Sequence, residues 1–177
     1  ATWRTTRIRD IGDGTSNTIA MAERELGNPT NELDAIGNVA AGSMGLMPTG
    51  ACYQTNIQGY YAIPRLQTTD GSRPASFWAD GRVFYASVVT VLPPNSASCA
   101  TGPDDPNAMI NVSSRHQGGA HVLLCDGSVR FVTENINSGD ATSSSLQANR
   151  VCAKGNSCYG VWGALGTIFG GEIVNDF

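Results

Sequence analysis

Two histidines and a nearby cysteine, His116, His121 and Cys125, are the residues of this sequence whose types could support catalysis. A cysteine and a histidine can form a nucleophilic pair when the thiol is activated. Cys125, however, ends an apolar run that starts at His121, and apolar burial raises the pKa of a thiol and makes it unreactive. The two histidines also lack the i, i+4 spacing of a helical zinc site. We therefore expect no catalytic residue, and a structural hydrogen bond between His116 and a carboxylate or backbone carbonyl group.

Oxygen-bearing side chains in turns could bind calcium. Asp104, Asp105 and Asn107 lie in one acidic turn, and Asp80 lies in an Asp-Gly turn upstream. Calcium prefers oxygen ligands, but this spacing does not match the twelve-residue EF-hand loop. The alternative is a pair of solvated acidic turns. Calcium is the one cofactor that the sequence suggests.

The chain contains five cysteines. Cys152 and Cys158 flank a polar turn, and Cys52 and Cys99 lie in turn-rich surroundings, which favours two disulfides, 52–99 and 152–158. Cys125 is then left as a buried free thiol on a strand. Disulfides indicate an exported protein, and the alternative is a cytosolic protein with five reduced thiols.

The composition is typical of a single domain of low charge. The chain has 177 residues, a net charge of −4 and 15% charged residues, against about 25% in typical soluble domains. It has no basic run, which argues against a nucleic-acid-binding protein. The sequence contains no stretch of 18 apolar residues, the length that a membrane-spanning helix needs. We treat residues 1–177 as one globular domain.

Two segments carry signals for single elements of secondary structure. Helical spacing of Ile19, Ala22 and Leu26 predicts a helix over Thr15–Glu25, capped by Asp13 or Thr15. The β-branched and aromatic content of Arg82–Leu92 predicts a strand.

The clearest element is a hairpin. Two apolar strands, His121–Cys125 and Ser128–Val132, flank Asp126-Gly127. Asp-Gly between alternating strands favours a type I′ turn, in which both residues have positive φ. Val122 and Leu124 are then expected on one face, with Leu123 and Cys125 on the other.

The remaining segments predict turns and short strands. Residues 28–82 are rich in Gly, Pro, Asn and Thr, and predict long loops with short strands such as Tyr60–Ile63. Five glycines at 160–171 favour turns and close backbone approach over a long helix. The fold class that follows is α+β, with an antiparallel sheet and long structured loops.

Four blocks of the sequence, in order along the chain, resemble blocks of one bacterial protein family. The blocks are Ile11–Ile19 with Glu23, Val91–Asn95 with Cys99, Ser113–Phe131, and Leu165–Glu172. The third contains His116, nine further residues and then Asp126-Gly127. With these blocks the chain resembles the prepilin-type H-x9-D-G proteins, which are pilin-like proteins of unknown function.

The resemblance implies a pilin-like head whose matching residues are structural. These residues are Asp13, Gly14, Thr15, Asn17, His116, Asp126, Gly127 and Glu172. Family members begin with a cleavage motif and a long apolar helix. This chain starts just before the first block, so we expect it to correspond to the C-terminal portion of such a protein.

The function implied by the resemblance is structural. We expect an extracellular or cell-surface pilin-like or pseudopilin subunit of a filament, a fibre or a secretion-associated assembly, and no enzymatic activity. Expected partners are copies of the chain, the missing N-terminal half or another pilin-like chain, with membrane contact only through the absent helix and no nucleic acid.

The alternative is a cell-surface binding module for a glycan, calcium or a small solute. Its stacking platforms would be Trp78, Tyr60, Tyr61 and Trp162, beside Asp80 and Asp104. Aromatic side chains at this density are more often part of the core.

Overall fold

The computed structural model describes residues 5–28, 30–31, 34–41, 56–57, 60–61, 74–100, 102, 108–139, 156–172, 174 and 177. Within these residues the chain forms three small sheets, mostly antiparallel, and two short helices, which agrees with a mixed α+β class. The elements are β1 (Ile19–Ala22), β2 (Ala40–Ala41), β3 (Asn56–Ile57), β4 (Tyr60–Tyr61), α1 (Val83–Ala86), β5 (Cys99–Ala100), β6 (Ala108–Met109), β7 (Gly119–Leu124), β8 (Val129–Thr133) and α2 (Gly160–Leu165).

The sheet that positions the candidate site has the order β1-β7-β8 and is antiparallel throughout. Strands β7 and β8 form the predicted hairpin, in register from Leu123 opposite Val129 to Gly119 opposite Thr133. Burial alternates along β7 as expected, with Val122 and Leu124 facing the core.

The hairpin turn differs from the type I′ prediction. The Leu124 carbonyl oxygen accepts a hydrogen bond from the Gly127 N–H, and the Leu124 N–H donates to the Ser128 carbonyl oxygen. The loop between the strands therefore has three residues, Cys125 to Gly127. Gly127 has a φ of 89°, whereas Asp126 is not among the described residues with positive φ. A three-residue loop that ends in a left-handed glycine is the next most common hairpin connection.

The predicted helix over Thr15–Glu25 is wrong. A single 3-10 turn, Thr15–Asn17, leads into β1, which pairs Ile19 with Leu124 and Ala22 with Val122. An isolated helix of this length is only marginally stable in water. Pairing with β7 instead supplies both backbone hydrogen bonds and burial, and therefore decides the conformation.

The predicted strand over Arg82–Leu92 is also wrong, because the segment begins with the helical turn α1. The Asp80 carboxylate accepts the Arg82 N–H at 3.0 Å, which is a turn-forming contact. Phe84 and Tyr85 are both buried in this turn, with their rings edge to face at 5.2 Å. Farther along, Val89 forms only an isolated parallel bridge to Asn111.

The other two sheets are small. β5 pairs with β2 in parallel and with β6 antiparallel, which places Cys99 opposite Met109. β3 and β4 pair antiparallel, so the short strand predicted from Tyr60 is present at Tyr60–Tyr61, while residues 62–63 lie outside the described part of the chain.

The core cluster behind the main sheet includes Val122 and Leu124 of β7 and Trp162 and Leu165 of α2. The Trp162 indole N–H donates to the Leu92 carbonyl oxygen at 2.7 Å. After α2, Gly166 lies directly against the Thr90 side chain, which leaves no room for a Cβ atom. This is the close approach that the glycines near the C-terminus predict. Among the described residues, no helix combines the length and apolar character needed to cross a membrane.

Candidate functional site

Glu23 and His121 meet where β1 ends beside β7. Glu23 directly follows β1, and its N–H donates to the His121 carbonyl oxygen at 3.1 Å. The Glu23 Oε2 atom accepts the His121 N–H at 2.7 Å. The glutamate is therefore held at both its backbone and its side chain, and the other carboxylate oxygen is available to further groups.

His116 reaches the same place from the loop that precedes β7. Its N–H donates to Ser114 Oγ at 3.1 Å, and Ser114 Oγ donates to the Gly119 carbonyl oxygen at 2.7 Å. Gly118, with a φ of 79°, turns the chain into the strand. The loop is thus tied to the first residue of β7.

Together Glu23, His116 and His121 form what we term the Glu–His cluster. Glu23 Oε1 lies 3.2 Å from His116 Nε2 and 3.3 Å from His121 Nδ1. One candidate ligand atom from each of the three residues lies within 4.8 Å of the others. The imidazole rings stand edge to face at 4.7 Å, and the Phe131 ring lies 5.1 Å from that of His121. The sequence predicts a carboxylate or backbone carbonyl partner for His116, and in the structure the partner is the Glu23 carboxylate.

The Glu–His cluster keeps its carboxylate ionised. Partial burial acts to raise the pKa of Glu23, but the His121 backbone N–H and the two imidazoles together outweigh it, so the pKa lies below its usual value. Such an arrangement can act as a hydrogen-bond network or as a two-histidine, one-carboxylate metal site.

Other charged groups near the Glu–His cluster already have partners. Arg115 pairs with Asp34 at 2.6 Å and with Glu25 at 3.3 Å. The hydrogen bond that Arg115 donates to the Asp34 carboxylate raises the pKa of Arg115 above its usual value. Arg24 donates to the Val83 and Ser87 carbonyl groups, and burial lowers its pKa to about 10. The Glu23 carboxylate therefore interacts with the two histidines rather than with Arg115 or Arg24.

A second cluster joins the first and last blocks of the sequence. The Asp13 carboxylate accepts the Gly170 and Gly171 N–H groups at 2.7 and 2.8 Å. Thr167 Oγ1 lies 3.1 Å from Asp13 Oδ2 and 2.8 Å from Glu172 Oε2. Burial acts to raise the pKa of Asp13, but the hydrogen bonds from Gly170, Gly171 and Thr167 lower it overall. Asp13 thus makes structural contacts across the fold, and Glu172 joins this cluster locally through Thr167.

The tip of the hairpin lies against the Asp13-Gly14-Thr15 segment. The Asp126 N–H donates to the Thr15 carbonyl oxygen at 3.1 Å. The Asn17 side-chain amide donates to the Asp13 carbonyl oxygen at 3.3 Å. Gly14 has a φ of 93°, which favours glycine. The Asp126 carboxylate accepts hydrogen bonds from the N–H and the hydroxyl group of Ser128. The structure therefore brings Asp13, Gly14, Thr15, Asn17, Asp126 and Gly127 into one region.

Of the residues considered for calcium, Asp80 lies in the part of the chain that the structure describes. The Asp80 carboxylate is occupied by Arg82, whose Nη2 lies 2.6 Å from Asp80 Oδ2. Hydrogen bonds from Arg82 lower the pKa of Asp80. Asp104, Asp105 and Asn107 lie outside the described residues. The geometry at Asp80 supports an ion pair with arginine.

Of the cysteines that the structure describes, Cys125 is the free thiol. It is half-buried and lies in the hairpin turn directly after β7, so the prediction of a buried position on the strand is wrong. At the rise of a strand, the four steps from His121 to Cys125 span about 13 Å, too far for a nucleophilic pair. Cys52 and Cys152 lie outside the described residues, so the pairings with Cys99 and Cys158 stay predictions.

The aromatic residues considered as stacking platforms separate into different environments. Trp162 is fully buried in the core, so it cannot be a platform. Trp78 is 90% exposed. Tyr60 and Tyr61 lie on β4, and their side chains are outside what the structure describes.

Sequence reasoning missed the joint role of Glu23 and His121. Glu23 falls within the segment predicted as a helix, so nothing suggested that it borders a strand containing His121. The alternation along the hairpin does indicate that His121 faces away from the core. A strand prediction for 19–22 is the signal that would have linked the two residues.

Comparison with known proteins identifies the family of this chain. No curated protein sequence and no solved structure matches the chain. The family model SBP_bac_10, described as a protein of unknown function (DUF1559), matches residues 2–139. That range is most of the chain and includes the Glu–His cluster and the whole hairpin. The chain therefore belongs to the DUF1559 family, whose function is unknown.

Proposed function

We propose that the protein is an extracellular or cell-surface structural subunit with a pilin-like head. Its partners are copies of itself or another pilin-like chain, in a filament, a fibre or a secretion-associated assembly. Membership of the DUF1559 family is consistent with this role. The proposal needs no catalysis, and we propose that the protein is not an enzyme.

The observation that carries the proposal is a groove beside the edge strand β1, which we term the edge groove. It has a volume of about 1070 Å³, and its lining includes Ile19, Met21, Trp78 and Val89. Met21 is 68% exposed and Trp78 90% exposed. Exposed apolar side chains grouped beside a sheet edge are typical of surfaces that pair with another chain.

Self-association tests this role directly. We expect the full chain to form dimers or larger species in sedimentation velocity experiments, and ordered fibres in electron micrographs of native surface material. The double variant Met21→Ser/Trp78→Ser is expected to weaken association at least about tenfold, because buried aromatic side chains dominate interface energies.

The matched control is Ile8→Ser, which removes an apolar side chain that is 77% exposed but does not line the edge groove. It should leave association unchanged. A wild-type protein that stays monomeric at all concentrations, or a control that weakens association equally, would contradict the proposal.

The extracellular location rests on the proposed disulfides Cys52–Cys99 and Cys152–Cys158. Support comes from the described cysteines, among which Cys125 is the free thiol. Disulfides persist in exported proteins and are rare in the cytosol.

A second candidate is a surface binding module for a glycan, calcium or a small solute. The observation that favours it is the exposed indole of Trp78 at the edge groove, since exposed aromatic faces can stack on ligands. Titration of Trp fluorescence with oligosaccharides tests it. Saturable quenching that Trp78→Ser abolishes would support this role, and unchanged fluorescence would exclude a stacked glycan.

A further inference from the structure

We infer that the Glu–His cluster is a binding site for one divalent transition-metal ion of the zinc class. The three ligands are Glu23 Oε1, His116 Nε2 and His121 Nδ1. Two imidazoles and one carboxylate are a ligand set used by zinc and by other first-row transition metals. This site is independent of the proposed structural role.

The distances within the Glu–His cluster are compatible with a shared ion as well as with hydrogen bonds. A hydrogen bond between a protonated histidine and a carboxylate is usually about 2.7–2.9 Å long. The two imidazole nitrogens instead lie 3.2 and 3.3 Å from the same oxygen, Glu23 Oε1. Ligands about 2.1 Å from a tetrahedral zinc ion lie roughly 3.4 Å apart, which is close to both distances.

Each ligand is already oriented by a second contact, as in known metal sites. The His121 N–H holds Glu23 Oε2 at 2.7 Å and directs Oε1 toward the histidines. Ser114 fixes the backbone of His116, and the Phe131 ring stands beside His121. The ligands come from the end of β1, from β7 and from the loop tied to β7, so the site needs little reorganisation to bind.

The Glu–His cluster is also open to solvent. The exposed fractions of the side chains are 34% for Glu23, 53% for His116 and 40% for His121. Beside the cluster lies a depression of about 340 Å³, lined by Glu23, His116, Arg115 and two serines among others. Three protein ligands with an open fourth position leave room for water or for a ligand from another molecule.

The chemistry of the ligands selects the class of metal. Calcium and magnesium prefer oxygen ligands, and calcium takes six to eight of them. Imidazole nitrogen suits zinc, copper, nickel and iron. The Glu–His cluster is therefore distinct from the calcium site considered for the acidic turns.

Metal titration of the full chain tests the inference. After treatment with a chelator and its removal, zinc is titrated by isothermal calorimetry, and cobalt(II) by visible absorption. We expect one ion per chain and a cobalt spectrum typical of nitrogen and oxygen ligands. His116→Ala, His121→Ala and Glu23→Gln should each weaken zinc binding at least about 100-fold, because even outer-shell changes cost 10–100-fold.

Two matched variants separate the Glu–His cluster from other donors. Glu25→Gln changes a neighbouring carboxylate that pairs with Arg115, and Cys125→Ser removes the free thiol. Both should bind zinc as the wild type does. Absence of saturable binding by the wild type, or equal affinity in the three ligand variants, would overturn the inference.

Folding of the variants is checked by circular dichroism. If one ligand variant does not fold, the other two and the cobalt spectrum of the wild type still decide the question. Zinc should also raise the melting temperature of the wild type and of both control variants. A melting temperature that zinc does not change would count against the site.

Discussion

Two carboxylates in this protein, Asp13 and Glu23, accept hydrogen bonds from groups that are distant in sequence. Asp13 accepts N–H groups from Gly170 and Gly171, which lie 157 and 158 residues away. Glu23 accepts from His121, which lies 98 residues away. Each carboxylate thus holds a loop or strand end in place, and a charged acceptor makes these hydrogen bonds stronger than those to neutral oxygens.

Replacement of Asp13 is expected to destabilise the fold in a pH-dependent way. Asp13→Asn should lower the free energy of unfolding by about 1 kcal/mol at pH 7, because the ionised acceptor is lost. The pKa of Asp13 in the folded state lies below the ordinary value of 3.8. Its contribution is therefore present above that value and is lost as the pH falls through the folded-state pKa.

Urea denaturation of the wild type and Asp13→Asn between pH 7 and pH 2.5 measures this effect. The difference between the two proteins should shrink below pH 4. A difference that is constant over the whole range would show that the charge of Asp13 does not contribute.

Strands and helices in this chain depend on turns of specific backbone conformation. Gly127 has a φ of 89°, and a Cβ atom there would meet no other atom within 4 Å. Gly81 is equally open, but it does not have a positive φ. The two glycines therefore separate backbone strain from steric crowding.

Gly127→Ala is expected to destabilise the protein by about 1 kcal/mol, the cost of a left-handed conformation for a residue with a Cβ atom. Gly81→Ala is the control and should be neutral or slightly stabilising, because alanine restricts the unfolded chain. Thermal unfolding followed by circular dichroism compares them. Equal melting temperatures for the two variants would contradict a strained hairpin turn.

Trp162 allows a test of how helix α2 packs in the core. Its indole is fully buried and donates to the Leu92 carbonyl group. Trp162→Phe should cost about 2 kcal/mol or more, because it leaves a void and an unsatisfied carbonyl group. Trp78→Phe, at a position that is 90% exposed, should change stability by less than about 0.5 kcal/mol. The opposite ranking in chemical denaturation would show that the core is not organised around α2.

The whole molecule combines few charges with several exposed apolar side chains. Charged residues are 15% of the sequence, and Met21, Trp78 and Phe169 are among the exposed large apolar residues. Low charge reduces electrostatic repulsion between packed copies, and exposed apolar surface gives those copies something to bury. Both features agree with the proposed role in an assembly.

Disulfides join distant parts of the chain, so the redox state of the cysteines affects the whole molecule. We expect alkylation of the native protein without reductant to label one thiol, Cys125, and labelling after reduction to reach all five. Intact mass spectrometry counts the labels. Five labels without reductant would exclude both disulfides and the extracellular location that rests on them.

Sequence alone predicts the features that are encoded locally. The hairpin follows from two alternating apolar segments around Asp126-Gly127, because both the strand pattern and the turn residues lie within a few positions of one another. The glycines near the C-terminus predict turns in the same way, but Gly160–Leu165 form the short helix α2. The mixed α+β class likewise follows from the sequence pattern alone.

Tertiary structure alone decides the features that depend on distant partners. Residues 19–22 have helical spacing, yet they form a strand because β7 offers an edge to pair with. The helical turn at 83–86 likewise buries two adjacent aromatic rings where the composition predicts a strand. The Glu–His cluster exists because this pairing brings Glu23 to histidines 93 and 98 residues away. Local propensity is worth less than about 1 kcal/mol per residue, so such long-range pairing and burial outweigh it.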